Sequence, residues 1–237
     1  MPSVLIVKTG DAFSEVTERH GDFDALFEAP MTRATQNVTF QVWDPRVQSA
    51  PFCLDGLDGI VITGSNSMVS DAEPWSEALK PWLRDARQRD IPMLGVCYGH
   101  QLMAEAFGGK AGNHPDGREA GTFEIERNEA SNADPLFSQL PTRFMAHLTH
   151  GQTVLKAPDD GVVLAYNHHD HHQAIRYGTR QWSVQFHPEF NADILRVYIE
   201  RVKDALIDQG DDVSELINRL RETPEASSLL ERFSRLL

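Results

Sequence analysis

Apolar residues in the first part of the chain come in short unbroken runs. Val4-Leu5-Ile6-Val7 stops at Thr9-Gly10, and Val38 to Trp43 stops at Asp44-Pro45. Leu57 to Thr63 (LDGIVIT) runs into Gly64-Ser65-Asn66-Ser67, and Pro92 to Val96 runs into Cys97. Runs of this length, rich in Val and Ile and bounded by turn residues, predict buried strands. Between the third and fourth, Trp75, Leu79, Leu83 and Ala86 recur at helical spacing, with Pro74 near a first-turn position. Pro81 is expected to split or kink that helix. Strands alternating with helices predict a parallel sheet with helices packed on its faces.

The texture changes after Gly109. Thr122 to Glu126, Arg143 to Leu148, Val162 to Tyr166, Ala174 to Tyr177 and Trp182 to Phe186 are short strand-like runs joined by loops, which predicts an antiparallel, meandering portion. From Asn191 the pattern turns helical: ILRVYIERVKDALI, VSELINRLRE and EASSLLERFSRLL, the last two with Leu at three- and four-residue spacing. The expected fold class is α/β, a mostly parallel central sheet flanked by helices, with a smaller antiparallel portion and a helical C-terminal tail. The expected division is a domain over residues 1–205 and a tail over 206–237, packed on that domain or on a partner. No internal repeat or low-complexity segment interrupts it.

The run ending at Cys97 carries the first candidate chemistry. Gly95-Val96-Cys97-Tyr98-Gly99 is G-x-C-x-G, with the form of a nucleophile elbow in which sulfur replaces oxygen. Glycines flanking a tight strand-to-helix turn let it close and let substrate approach. Unpaired N–H groups and the positive dipole end of the following helix favour a thiolate. The N–H of Tyr98 would face an oxyanion. The competing reading is a small buried hydrophobe, the ordinary role of cysteine in such cores. A phosphate-binding turn is weaker, because no Lys-Ser or Lys-Thr follows.

A base is expected in QWSVQFHPEF. Proline biases His187 to an extended conformation, and in extended chain residues i and i+2 point the same way. Glu189 would then lie beside His187 and fix its tautomer. Cys97, His187 and Glu189 would supply a nucleophile, a base and an orienter. The competing reading is a surface His and Glu at a strand end.

Composition narrows the partners. The chain has 237 residues and a net charge of −13. That excess argues against nucleic acid and against an anionic membrane surface as main partners, since both need clustered Lys and Arg. Two cysteines are too few for a disulfide framework, and a reducing cytoplasm is the expected compartment. The start, MPSVLIVKTGDAF, lacks the basic segment and cleavage site of a signal peptide. No window reaches the apolar length of a membrane-spanning helix.

GVCYGHQ followed by QFHPE resembles the class I glutamine amidotransferases, which carry a Cys-His-Glu triad on a flavodoxin-like sheet. The likeness covers Val4 to about Phe190 and is greatest to stand-alone members similar to the amidotransferase part of GMP synthase. It implies that Cys97 attacks the side-chain amide of glutamine, that His187 protonates the departing ammonia, and that water hydrolyses the thioester to glutamate. It implies a separate synthetase as ammonia acceptor, and neither a cofactor nor a metal. By motif position the oxyanion hole is the N–H of Ser65 and of Tyr98, and the substrate residues are Gln101, Gly151 and Gln152. Arg118-Glu119-Ala120-Gly121 resembles the start of a family strand. Two departures stand out. The oxyanion loop, usually Gly-Gly-Pro, reads Gly64-Ser65-Asn66, and serine serves there only if its backbone avoids a glycine-only conformation. Gln152 replaces an aspartate, which removes a partner for the α-amino group of glutamine.

Three functions therefore compete: a glutamine-hydrolysing amidotransferase, a hydrolase of γ-glutamyl amides or peptides with the same triad, and a catalytically weak regulatory subunit. The remaining features have bland expectations. His168-His169-Asp170-His171-His172 is expected to be a solvated hairpin turn rather than a metal site, because adjacent residues rarely converge on one ion. His150 belongs to the matched segment and His147 to packing. Cys53 is expected to be structural, and Trp75 and Trp82 to pack the helix.

Overall fold

The computed structural model describes residues 1–35 and 37–237. Its first four strands are β1 (Ser3–Val7), β2 (Thr39–Trp43), β3 (Gly59–Ile62) and β4 (Met93–Val96). Side chains of β1 alternate between two cores. Val4 and Ile6 enter one with Val61, Leu94 and Val96, while Leu5 and Val7 enter the other with Ile60, Ile62 and Met93. Both faces are covered, so no position needs a polar residue and the strands read as uninterrupted apolar runs. Strand β2 is an edge with exposed positions.

Helices α1 (Ser14–His20) and α2 (Phe23–Ala34) follow β1, in a segment for which the apolar pattern predicts nothing. Asp22 caps α2 by accepting the N–H of Phe23, and Phe27 and Met31 fill the first core. Helices α3 (Pro74–Gln88) and α4 (Tyr98–Ala106) cover the other face through Leu79, Leu83, Leu102 and Met103. Of the split or kink expected at Pro81, the split is absent: α3 is one element of 15 residues. Pro81 lies on its exposed side, where water can satisfy the carbonyl that the missing N–H leaves free.

The second half contributes β5 (Lys110–Asn113), β6 (Glu119–Arg127), β7 (Arg143–His150), β8 (Gln152–Lys156), β9 (Val162–Tyr166), β10 (Ala174–Arg176) and β11 (Gln181–Val184). The main sheet has nine strands in the order β2-β1-β3-β4-β11-β10-β9-β6-β7. From β2 to β11 neighbours run parallel, and from β11 to β7 they run antiparallel. Strand β11 is therefore the seam, parallel to β4 on one side and antiparallel to β10 on the other. Strands β5 and β8 form a separate antiparallel pair that the apolar pattern does not foreshadow.

The chain ends in α5 (Ala192–Arg201), α6 (Lys203–Asp208), α7 (Val213–Asn218) and α8 (Pro224–Arg235). Ala226, Leu229, Leu230 and Phe233 of α8 are fully buried in the same core as Val4 and Trp182. The rings of Phe233 and Trp182 meet edge to face, 6.4 Å between centroids. Burial of each of these large side chains stabilises by roughly 1.5–3 kcal/mol. Among the described residues no helix is long and apolar enough to cross a membrane.

Candidate active site

Cys97 sits between β4 and α4 with φ 51° and ψ −99°. A non-glycine residue there costs on the order of 1–3 kcal/mol and persists only if its surroundings impose it. They do. The N–H of Cys97 donates to Val184 O on β11 (2.9 Å), and its carbonyl accepts the N–H of Gln101 (3.1 Å) to start α4. The flanking glycines have steric reasons. A Cβ on Gly95 would lie 2.6 Å from Met103 Sδ, and one on Gly99 would lie 2.6 Å from Ile62 O. Helix α4 can cross the strands this closely only where those side chains are missing.

The sulfur is not sealed in hydrocarbon. Cys97 is 6% exposed and borders a cavity of about 210 Å³, with Ser65, Tyr98, Gln101, Arg118, His150, Gly151, Gln152 and His187 around it. His187 Nδ1 and Glu189 Oε1 are 2.7 Å apart. The extended chain expected between them is absent. A turn at Pro188-Glu189 brings them together instead, closed by the N–H of Phe190 on His187 O (3.4 Å). The ring of Phe190 stacks on the imidazole at 4.2 Å, and His187 N–H donates to His147 O (2.8 Å). With Nδ1 turned to the carboxylate, the buried Nε2 has no hydrogen-bond partner among the described residues. The imidazole Cε1 and the Cβ of Cys97 both border Gly64, at 3.2 and 3.8 Å from where its Cβ would be.

The electrostatics favour charge separation between sulfur and ring. Burial pushes the Cys97 thiol up, but the positive charge of His187 outweighs burial and leaves it below the ordinary thiol value. Burial pushes His187 down, but the charges of Glu189 and Cys97 raise it to about 10. The arrangement supports a thiolate beside an imidazolium.

Ser65 is not among the residues with positive φ, so serine meets the backbone condition set by the departure from Gly-Gly-Pro. Among the described residues no backbone acceptor takes the N–H of Ser65 or of Tyr98. Gln101 is tied back, its Nε2 donating to Gln152 O (2.7 Å) and to Gln185 Oε1 (2.9 Å). The Gln152 side chain is also occupied. It donates to Ser70 Oγ (2.5 Å) and Asn113 Oδ1 (2.9 Å) and accepts from Ser70 N–H (3.3 Å). Gln152 thus borders the cavity while its amide is used to fix the loop carrying Ser70.

Sequence reasoning missed two features. The first is Arg118, placed only at a strand start. Its guanidinium lies 3.2 Å from the position of a Cβ on Gly151 and has no carboxylate partner among the described residues. Burial lowers it, while the charge of Cys97 raises it in part. A larger open cavity of about 820 Å³ shares Arg118 but none of Cys97, His187 and Glu189. The second is the pairing of Glu119 with His150 (3.0 Å), both buried. These residues are 31 apart in sequence and meet only as cross-strand partners of β6 and β7, so no spacing signal exists for them.

The other expectations resolve simply. His147 packs inward against Thr122 Oγ1 (3.1 Å), and burial, then the charge of His187, lowers it to about 4. The segment 168–172 joins the antiparallel strands β9 and β10 and is solvated in part, with His168 and His171 exposed. Asp170 is buried and accepts from Thr153, and His169 stacks on His114 at 4.0 Å. No three His, Cys, Asp or Glu among the described residues are arranged to hold a metal. Cys53 is exposed and unpaired, which corrects its structural reading. Trp75 stacks on Tyr98 (5.6 Å), and Trp82 donates to Phe52 O (2.8 Å).

Residues 24–199 match the family model described as Glutamine amidotransferase class-I. Over 151 residues the chain is 31% identical to gamma-glutamyl peptidase 5 of Arabidopsis thaliana, covering 63% of this chain and 60% of that protein. Over 134 residues it is 31% identical to a glutamine-hydrolyzing GMP synthase subunit from Methanocaldococcus jannaschii, covering 56% of this chain and 65% of that one. The match thus spans less than two thirds of either relative. A solved glutamine amidotransferase from Thermotoga maritima superposes with a TM-score of 0.76 over 99% of this chain and 96% of its own, at 21% identity.

Proposed function

The chain belongs to the class I glutamine amidotransferase family, and we propose that it hydrolyses the side-chain amide of glutamine through a thioester on Cys97. The observation that carries this is the buried, partnerless Nε2 of His187 in the cavity of the strained Cys97, with Glu189 holding Nδ1. The thiolate adds to the amide carbonyl, and the oxyanion receives the free N–H groups of Ser65 and Tyr98. His187 gives its Nε2 proton to the amide nitrogen, the C–N bond breaks and ammonia leaves. Water then attacks the thioester and yields its proton to His187. The C–S bond breaks, releasing glutamate and the thiolate. Arg118, a cation without a partner beside Gly151, suits a substrate carboxylate. A relative named as one subunit of a synthase supports a separate synthetase as ammonia acceptor.

Cys97→Ala is expected to abolish glutamate release while circular dichroism and thermal unfolding stay near wild type. A variant that keeps full glutaminase activity would remove the nucleophile assignment.

A second reading has its own support. Gln152 offers the substrate neither a carboxylate nor a free amide, and one similar relative is a gamma-glutamyl peptidase. A γ-glutamyl amide or peptide would be cleaved by the same steps, with an amine leaving in place of ammonia. Comparing kcat/KM for glutamine with that for γ-glutamyl amines and peptides separates the two. The idle regulatory role loses its motive, because Ser65 needs no glycine-only backbone.

A further inference from the structure

We propose that His150 and Glu119 form a permanently charged imidazolium–carboxylate pair that supports the Cys97 thiolate across their shared cavity and holds the substrate-side backbone in place. The proposal rests on Cys97 being the nucleophile, and it adds two positioning residues to the three already named.

Hydrogen-bond directions carry it. His150 Nδ1 is 2.8 Å from the carbonyl oxygen of Gln152. A carbonyl only accepts, so Nδ1 carries a proton. Nε2 is 3.0 Å from Glu119 Oε2. That carboxyl is surrounded by donors. Its Oε1 receives Asn167 Nδ2 (2.6 Å) and its Oε2 receives Gln173 Nε2 (3.1 Å). The orientation of Asn167 is set independently, because its Oδ1 accepts the N–H of Asp170 (2.6 Å). Glu119 accepts from both amides, and with its carboxylate accepting from His150 as well, Nε2 carries the second proton. Both side chains are withdrawn from water, 1% and 5% exposed, where a charge persists only if paired.

Placement gives the pair its role. Glu119 and His150 face each other across β6 and β7, which orients the couple. His150 borders the cavity that holds the sulfur, whereas Glu119 borders the neighbouring one. The positive member of the pair therefore shares the cavity of Cys97. The Gln152 carbonyl that takes the His150 proton also takes Gln101 Nε2 (2.7 Å). The His150 proton thus pins the backbone next to Gly151, and the carbonyl it fixes is the one that anchors the side chain of Gln101. Other charged or titratable groups face the same ring: Asp170 and His169 from the β9–β10 loop, His100 from α4, and His114 after β5. Burial depresses His100 to about 3 and lowers His114, so neither competes as a cation at neutral pH.

Two measurements on the full chain test this without relying on turnover. Nitrogen-15 NMR of the wild-type protein, labelled in histidine, should show both His150 ring nitrogens protonated at neutral pH and above. A bare ring nitrogen on His150 near neutrality overturns the proposal. The second measurement is the pH profile of Cys97 alkylation by iodoacetamide, with Cys53 replaced by serine so that one thiol reports. Glu119→Gln removes the counterion, the buried imidazolium then gives up its proton, and alkylation near neutral pH should slow by about three- to tenfold with the profile shifted upward. A profile that superposes on wild type overturns the proposal. If Glu119→Gln does not fold, the wild-type NMR titration decides alone. A protein that alkylates as expected but releases no glutamate from glutamine would sink the glutaminase reading and leave this inference standing.

Discussion

The two flanks of β11 solve opposite problems with one sheet. On the β4 side, strands are parallel, apolar on both faces and sandwiched between helices, and the site owes them a strained corner at Cys97. On the β10 side, strands are antiparallel and bury polar groups: Glu119, His147, His150, Gln173 and Asp170 are all withdrawn from water. Shape comes from the first region and charge from the second. An apolar core holds a backbone in an unfavourable conformation because many small contacts resist its relaxation. Buried polar groups hold protons in chosen places, because each unpaired group there is costly. His187 leaves the end of the seam strand, where the two contributions meet.

Variants on the two sides should therefore fail differently. Glu189→Gln leaves the Cys97 corner intact but removes the charge that holds the His187 proton. Glutamate release should fall by about 10³-fold or more, read as kcat at saturating glutamine, with the far-ultraviolet circular dichroism unchanged. Phe233→Ala should do the reverse. It opens a cavity against Trp182 in the apolar core and should cost about 3–5 kcal/mol in urea unfolding, while kcat below the new transition stays within about twofold of wild type. A Phe233→Ala protein of unchanged stability would refute the placement of α8 in the core.

The smallest effect is a titration across the seam. The His187 ring should keep its charge until pH rises through about 10. In Cys97→Ala the sulfur's negative charge is gone, so the NMR titration midpoint of His187 should move down. The sign for stability follows. A raised histidine contributes fully below its unfolded value of about 6.5, and the contribution is lost as pH rises through the folded value. Wild type should therefore lose this increment between roughly pH 6.5 and 10, and Cys97→Ala should lose it earlier. An unmoved His187 midpoint would separate the ring from the sulfur and break the link between the two regions.

The strands around the site were legible because an apolar run between turn residues has few other uses. Cys97 was legible because its glycines mark a steric demand that α4 makes on β3 and β4. His187 and Glu189 were legible by spacing, although a turn rather than extended chain brings them together. Other features left no local trace. Arg118 reads only as part of a strand start until Gly151 is found beside it. The occupied amide of Gln152 depends on Ser70 and Asn113, 82 and 39 residues away. Helices α1 and α2 lack the clean spacing of α3, and the expected split at Pro81 vanished once its ring faced solvent.

By itself the sequence determined which segments had to be buried, where a strand had to hand over to a helix without side chains in the way, and which family the chain resembles. These are properties of neighbouring residues, set by local sterics and by the cost of leaving apolar surface in water. Tertiary structure alone decided that Glu119 meets His150 across two strands, that Gln152 is held by Ser70 and Asn113, and that the last helix closes the core. Those outcomes depend on groups far apart along the chain, and on a burial that multiplies the energy of every charge it encloses. Only the folded sheet brings such groups within hydrogen-bond reach.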